Sequence, residues 1–181
     1  MTRNITLPVS REEVRKISAG EKILLTGTIY TARDAAHKRM IENKDNKGID
    51  FPFEIEGSAI YFAGPAPAKP GRVIGSVGPT TSGRMDAYSP RLIKEGNLIM
   101  IGKGERNKTV VDAMVEYGAV YLAAPGGAGA LMAQKVKSCK LCAYEDLGAE
   151  AVYELYVEEM PLIAVIDSAG RNLYDEVKKD L

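Results

Sequence analysis

Leu98 to Val136, LIMIGKGERNKTVVDAMVEYGAVYLAAPGGAGALMAQKV, is the stretch whose pattern decides the fold class. Leu98-Ile99-Met100-Ile101 is a short apolar run that predicts a buried strand, and Gly102-Lys103-Gly104-Glu105-Arg106 is a glycine-bearing turn. Thr109 to Tyr117 then sets Val110, Ala113, Met114 and Tyr117 on one helical face. The pattern repeats at once. Ala119 to Ala124 reads as a strand, Pro125-Gly126-Gly127-Ala128-Gly129 as a turn and Ala130 to Val136 as a helix. Strand, glycine turn and helix in series imply a sheet with helices packed on it, an α/β fold whose ligands gather near the carboxyl ends of the strands.

Working outward, Ser138 to Tyr144, Leu155-Tyr156-Val157 and Leu162 to Ile166 supply three more strand candidates. Asp167-Ser168-Ala169-Gly170 is a turn, and 171–181 is a short polar tail of helical character. Toward the amino terminus, Glu21 to Tyr30, Ala59 to Ala63 and Arg72 to Val77 read as strands, with Phe51 to Glu54 leading into the second. A polar loop, Asn43 to Asp50, separates the first of these from the second. Ser89-Pro90 suits an N-cap and first position for a helix through Lys94, ended by Gly96. Residues 1–20 are a lead-in: an extended piece over Ile5 to Val9, then a helix from Arg11 to Ile17 with Ser10 as cap and Gly20 as stop. The expectation is one domain over 1–181, strand-rich in its first half and built of α/β units in its second.

Composition narrows the function classes. Hydrophobic residues make up 45% and charged ones 27%, and 24 Lys+Arg balance 24 Asp+Glu, so charge gives no argument for nucleic acid or a membrane surface. No apolar run approaches membrane-spanning length, and the first twenty residues have no signal-type core. Two cysteines in a chain of 181 do not form a disulfide framework, which points to a reducing, cytoplasmic setting. They are spaced as a CxxC, Cys139 and Cys142, inside a strand candidate. A redox pair or half a metal site would use that spacing. Residues three apart on a strand face opposite sides, which favours incidental or core cysteines.

Three loops carry the chemistry. Thr26 to Arg39, TGTIYTARDAAHKR, holds the one histidine of the sequence. Thr31 and Asp34 have the spacing of a helix start, which would place Arg33, Asp34, His37 and Lys38 on the first two turns. His37 is then either a charged-helix surface residue or, with Asp34 three positions away, a proton-transfer group. Gly78 to Asp86, GPTTSGRMD, gathers Thr80, Thr81 and Ser82 around Arg84; it suits a carboxylate or phosphate ligand, or is an ordinary turn with a solvated arginine. GKGER adds Lys103 and Arg106. Neither glycine turn has the spacing of a phosphate-binding loop, so nucleotide binding is disfavoured and a small polycarboxylate fits better.

The motifs TGTIYTARDAAHKRM, IYFAGPAP, VGPTTSGRMD, MIGKGER, YLAAPGGAGAL and EAVYELYVEEMPLIAVID occur here in the order found in iron–sulfur-dependent hydro-lyases. From about Gly20 to Asp175 the chain resembles the beta subunit, or C-terminal domain, of the class I fumarases and tartrate dehydratases. The resemblance implies a swivelling β/β/α domain. It also implies an alpha subunit as partner, carrying a 4Fe–4S cluster whose open iron polarises substrate, while this chain holds no cluster or metal ligands. The substrate would be a small dicarboxylate, with fumarate hydration leading and L-tartrate dehydration as the alternative. On the family's pattern His37 is the proton acceptor with Asp34 orienting it. Arg84 and Arg106 bind the carboxylates, and Thr80, Thr81, Ser82, Lys103 and Lys38 support them. A non-catalytic carboxylate- or partner-binding domain is the reading from another class. Self-association of the isolated chain into a homo-oligomer stays open.

Overall fold

In the computed structural model, which describes residues 1–125 and 127–180, the run Asn97–Gly102 forms strand β4, and every one of its residues is buried. A strand with no polar face must be covered on both sides, and this one is. Leu98, Ile99 and Ile101 join one apolar cluster, whereas Met100 joins a second. Seven strands form one sheet: β1 (Thr2–Thr6), β2 (Lys22–Thr31), β3 (Ser58–Tyr61), β4, β5 (Val120–Ala123), β6 (Val136–Ala143) and β7 (Val152–Ile166). β1 to β5 pair parallel in sequence order. β7 runs antiparallel to β5, β6 and also β2. The pairings β2–β3–β4–β5–β7–β2 therefore close on themselves. The first cluster, with Ile23, Leu25, Ile29, Tyr61, Leu122, Leu155 and Met160, gathers alternate residues of these strands.

Helices α2 (Asp34–Lys47), α3 (Ser89–Glu95), α4 (Lys108–Tyr117) and α6 (Leu173–Lys179) cover the other side, whereas α1 (Arg11–Arg15) and α5 (Gly129–Gln134) place Val14 and Met132 in the first cluster. Ala36 and Met40 of α2, Leu92 and Ile93 of α3 and Val110 and Met114 of α4 meet Ile60, Phe62, Met100 and Tyr121 in the second cluster. Local signals place the ends. Ser10 and Glu13 form a reciprocal capping box on α1, the Asn107 side chain accepts from Val110 N at 3.0 Å on α4, and Gly48 and Gly118 close α2 and α4 in the left-handed region.

The mixed α/β class holds, with corrections. Arg72 to Val77 is not a strand: Ala66 and Ser76 pair only locally, through Ala66 N to Ser76 O at 2.8 Å. The first half consequently carries three strands and the second four, so the strand-rich part is not the first half. The two strands expected at 155–157 and 162–166 are one. Glu159, with φ of 50°, bulges out between the pairs Gly27–Val157 and Leu25–Met160, and its amide donates to Thr26 Oγ1 at 2.9 Å. The acidic pair and Pro161 look like a break in sequence, but Pro161 pairs opposite Leu24 within β7. The lead-in is part of the sheet through β1, its helix ends at Lys16, and Gly20 lies beyond it. α3 is capped by Tyr88, with Ser89 inside the helix. The turn expected over 125–129 includes Gly126, and the tail ends at Leu181; both residues lie outside the described set.

Candidate active site

The loops after β2, β3 and β4 leave from the same ends of parallel strands, so three segments distant in sequence converge. The loop after β3 closes against the one after β4. Thr81 bridges Lys103, Ser82 N donates to the Lys103 carbonyl at 2.9 Å, and Thr80 N donates to Phe62 O at 2.7 Å. A Cβ on Gly102 would strike the Ser82 side chain, so the glycine is what allows the two segments to touch. Beneath them Tyr121 of β5 donates its hydroxyl proton to the Gly104 carbonyl at 2.9 Å and lies 2.8 Å from Ser82 Oγ. Burial pushes the Tyr121 phenol up, away from ionisation.

His37 is not a surface residue. It lies on the inner face of α2 with 1% of its area exposed, its ring edge-on to Phe62 at 5.4 Å and 6.2 Å from the Tyr88 ring. Nδ1 is 2.8 Å from the carbonyl oxygen of Arg33, which accepts only, so Nδ1 carries the proton and donates. Nε2 is left as the free acceptor of a neutral imidazole, with no hydrogen-bond partner among the described residues. Burial pulls the pKa down to about 4; the hydrogen bond to the Arg33 carbonyl opposes this, and the smaller effects of the Arg106 cation (lowering) and Asp34 (raising) follow. The orienting group is the Arg33 carbonyl rather than the Asp34 carboxylate expected from spacing. Asp34 instead begins α2, and its Oδ1 is buried without a hydrogen-bond partner among the described residues. Thr31 does not cap the helix either; its hydroxyl ends β2 and accepts from Tyr153 N at 3.1 Å, while Arg33 occupies the cap position.

The two arginines part company. Arg84 is exposed on the short helical turn Ser82–Met85, and its side chain makes no hydrogen bond or ion pair among the described residues. Lys103 is likewise exposed on its turn. Arg106 does not offer a fork to an open site. Its side chain is fully buried, with Nε donating to Asp86 Oδ1 at 2.7 Å, Nη2 to Ser89 Oγ at 2.7 Å and Nη1 to Met100 Sδ at 3.3 Å. Its guanidinium carbon lies 5.2 Å from the Phe62 centroid and 5.0 Å from that of Tyr121. Ser82 is also fully buried, in the layer beneath Thr81. Lys38 points to solvent from α2, 3.8 Å from Glu42.

The chain matches the family described as Fumarase C-terminus over residues 1–177. It belongs to that family. Over 178 residues it is 42% identical to a Methanocaldococcus jannaschii protein named "Putative L(+)-tartrate dehydratase subunit beta", covering 94% of this chain and 90% of the relative. Over 184 residues it is 35% identical to the Escherichia coli K12 "L(+)-tartrate dehydratase subunit beta", covering 99% and 90%. It is 39% identical over 159 residues to the Escherichia coli K12 "Fumarate hydratase class I, aerobic", covering 87% of this chain but 29% of that one. The chain therefore spans under a third of the length of the fumarate hydratases it matches.

In this fumarase C-terminal chain, residues that sequence reasoning left out tie the loops together: Asp86, Ser89, Phe62 and Tyr121. Asp86 ends the GPTTSGRMD loop, and its carboxylate is answered by Arg106 from the following loop. Arg33, which the sequence places on the first turns of α2 without a site role, occupies its cap. It borders His37 at the start of α2 with its side chain packed toward Gly64, and its Nε lies 3.1 Å from Glu150 Oε1 without hydrogen-bond geometry. Cys139 and Cys142 face opposite sides of β6, one against each apolar cluster, and burial raises both thiols. Among the described residues no set of His, Cys, Asp and Glu is arranged to hold a metal, and no helix is long and apolar enough to cross a membrane.

Proposed function

We propose that this chain is the beta subunit of a two-subunit hydro-lyase that adds water to, or removes it from, a small dicarboxylate. Fumarate hydration is the first assignment and L-tartrate dehydration the second. The observation that carries the reading is the end-to-end match to separate chains named as beta subunits, set beside the partial match to longer fumarate hydratases. On this reading Arg84 receives one substrate carboxylate on its planar fork. Lys103 adds positive potential from the neighbouring turn, and Thr80 and Thr81 donate from the rim. His37, neutral and with Nε2 open, takes the carbon-bound proton in the dehydrating direction and returns it in hydration.

The iron–sulfur cluster associated with such chemistry belongs, on this reading, to the partner. The donor set here does not fit a cluster: two cysteines on opposite faces of one strand cannot turn toward a common centre. Cytoplasmic location and an inward-swinging motion of the domain belong to the same proposal.

Co-expression with the candidate alpha subunit, anaerobic purification, and parallel fumarate and tartrate assays test the assignment. Turnover of fumarate supports the first substrate and turnover of tartrate alone moves the assignment to the second. A stable complex with neither activity returns the chain to the class of carboxylate-binding domains without catalysis.

A further inference from the structure

Phe62 stands between the two groups that matter most beneath the rim. His37 meets its ring edge-on at 5.4 Å, and the Arg106 guanidinium lies 5.2 Å from its centroid. Arg106 is the wrong residue to greet a substrate: its side chain has no exposed area, and its donors already serve Asp86, Ser89 and Met100. Removing such a charge from water is costly, and Asp86 and the Ser89 hydroxyl offset that cost here. Asp86 does more than neutralise it. Its second oxygen accepts from Asn107 N at 2.8 Å, so the pair fixes the start of α4 relative to the turn that carries Arg84.

We infer that Arg106 is a positioning residue: held by Asp86 and Ser89 under Phe62, it acts on the reaction through His37, keeping the Nε2 lone pair available, and binds no substrate. The inference rests on the reading of His37 as the proton acceptor. The charged and titratable groups around that imidazole are few. Asp34 and Arg33 come from its own helix, Tyr88 from the segment before α3, and Arg106 from beyond β4. Of these, Arg106 is the cation whose field lowers the imidazole pKa, and it packs on the same Phe62 ring that His37 meets edge-on.

Because the chain has a single histidine, its imidazole signal can be followed alone. Proton–carbon NMR of the full chain should show His37 titrating near 4 in the wild type. It should show an upward shift in R106Q and a return toward the wild-type midpoint in R106K, which restores the charge without the fork. D86N/R106L removes both charges of the buried pair together and should show the same upward shift; it is the reserve should R106Q unfold. An unchanged midpoint in the folded charge-removing variant would overturn the inference. In the active complex the positioning role predicts that R106Q keeps KM near the wild-type value while kcat falls and its acid limb moves up in pH, and that R106K moves both back toward wild type. A rise in KM with kcat intact would mark Arg106 as a substrate ligand and overturn it as well. If the wild-type complex turns over neither dicarboxylate, the proposed function fails, yet the histidine titration still decides whether Arg106 governs His37.

Discussion

Arg84 and Arg106 look alike in sequence, each in a glycine-bearing segment after an apolar stretch, and the fold gives them opposite environments. Arg84 stands in solvent with no partner among the described residues. Arg106 is sealed under aromatic rings and bonded to Asp86, Ser89 and Met100. The difference separates a rim from a floor. Rim cations stay hydrated and, on the proposed function, available to a substrate carboxylate, and their exposure leaves the fold little dependent on them. Floor charges are satisfied internally, so what they supply is geometry and field. A sequence motif names residue types but not which of the two layers each will occupy.

Breaking the comparison directly gives the largest effects. R106A removes a fully buried guanidinium and leaves the partly buried Asp86 without its cation, and the isolated chain should lose about 3 kcal/mol of stability, read by denaturant titration. R84A should cost under about 0.5 kcal/mol in the same assay, since an exposed side chain without contacts contributes little. In the complex the order reverses. R84A should lower kcat/KM a hundredfold or more, the scale of about 3 kcal/mol for one partner of a desolvated charge pair. Equal destabilisation by both variants would erase the distinction between rim and floor.

His37 tests the floor from its chemical side. H37N keeps a polar side chain at the position but removes the ring nitrogen that accepts a proton. Turnover in the complex should fall by roughly 10²- to 10⁴-fold, with KM within a few-fold because the rim is intact. Wild-type turnover would remove His37 from the mechanism.

The same imidazole sharpens the comparison through pH. Its folded pKa, near 4, lies below the ordinary histidine value of 6.5, so the unfolded chain binds the proton first. The stability from keeping it neutral is fully present above 6.5 and is lost as pH falls from 6.5 toward 4, a total of about 3 kcal/mol. Carboxylates held low by partners, such as Glu21 beside Arg3, contribute only at lower pH. Denaturation midpoints between pH 6.5 and 5 should therefore fall in the wild type and stay flat in H37Q. A parallel fall in both would assign the acid sensitivity elsewhere.

Much of this was legible in the chain. The alternation of strand, turn and helix after Leu98 follows from apolar periodicity, and the convergence of three loops follows from parallel strands whose ends lie together. Layer assignment was not legible. Spacing put Asp34 beside His37, but the imidazole proton goes to the Arg33 carbonyl, a backbone partner that no residue pattern announces. The irregular run over 72–77 has strand-forming residues, yet Gly75 packs against the Ala66 and Pro67 carbonyls and leaves no edge for pairing. β7 hid its continuity behind a bulge at Glu159, where long-range pairing with β2 overrides local preference.

The two lysines make the smallest and most discriminating pair. Lys38 follows His37 in α2, and one helical step turns the side chain by about 100°, so an inward His37 forces Lys38 outward. Its Nζ sits 3.8 Å from Glu42, an exposed pair of negligible worth. Lys103 shares a bridge with Thr81 and so belongs to the same rim as Arg84. Neutralising each removes the same charge from the same molecule, so any difference reports position rather than net charge. In the complex K103Q should raise KM for a dicarboxylate about fivefold, an effect of about 1 kcal/mol that shrinks as salt is added, whereas K38Q should stay within twofold. Equal responses would mean that substrate feels only the overall field of the domain, and the rim would then consist of Arg84 alone.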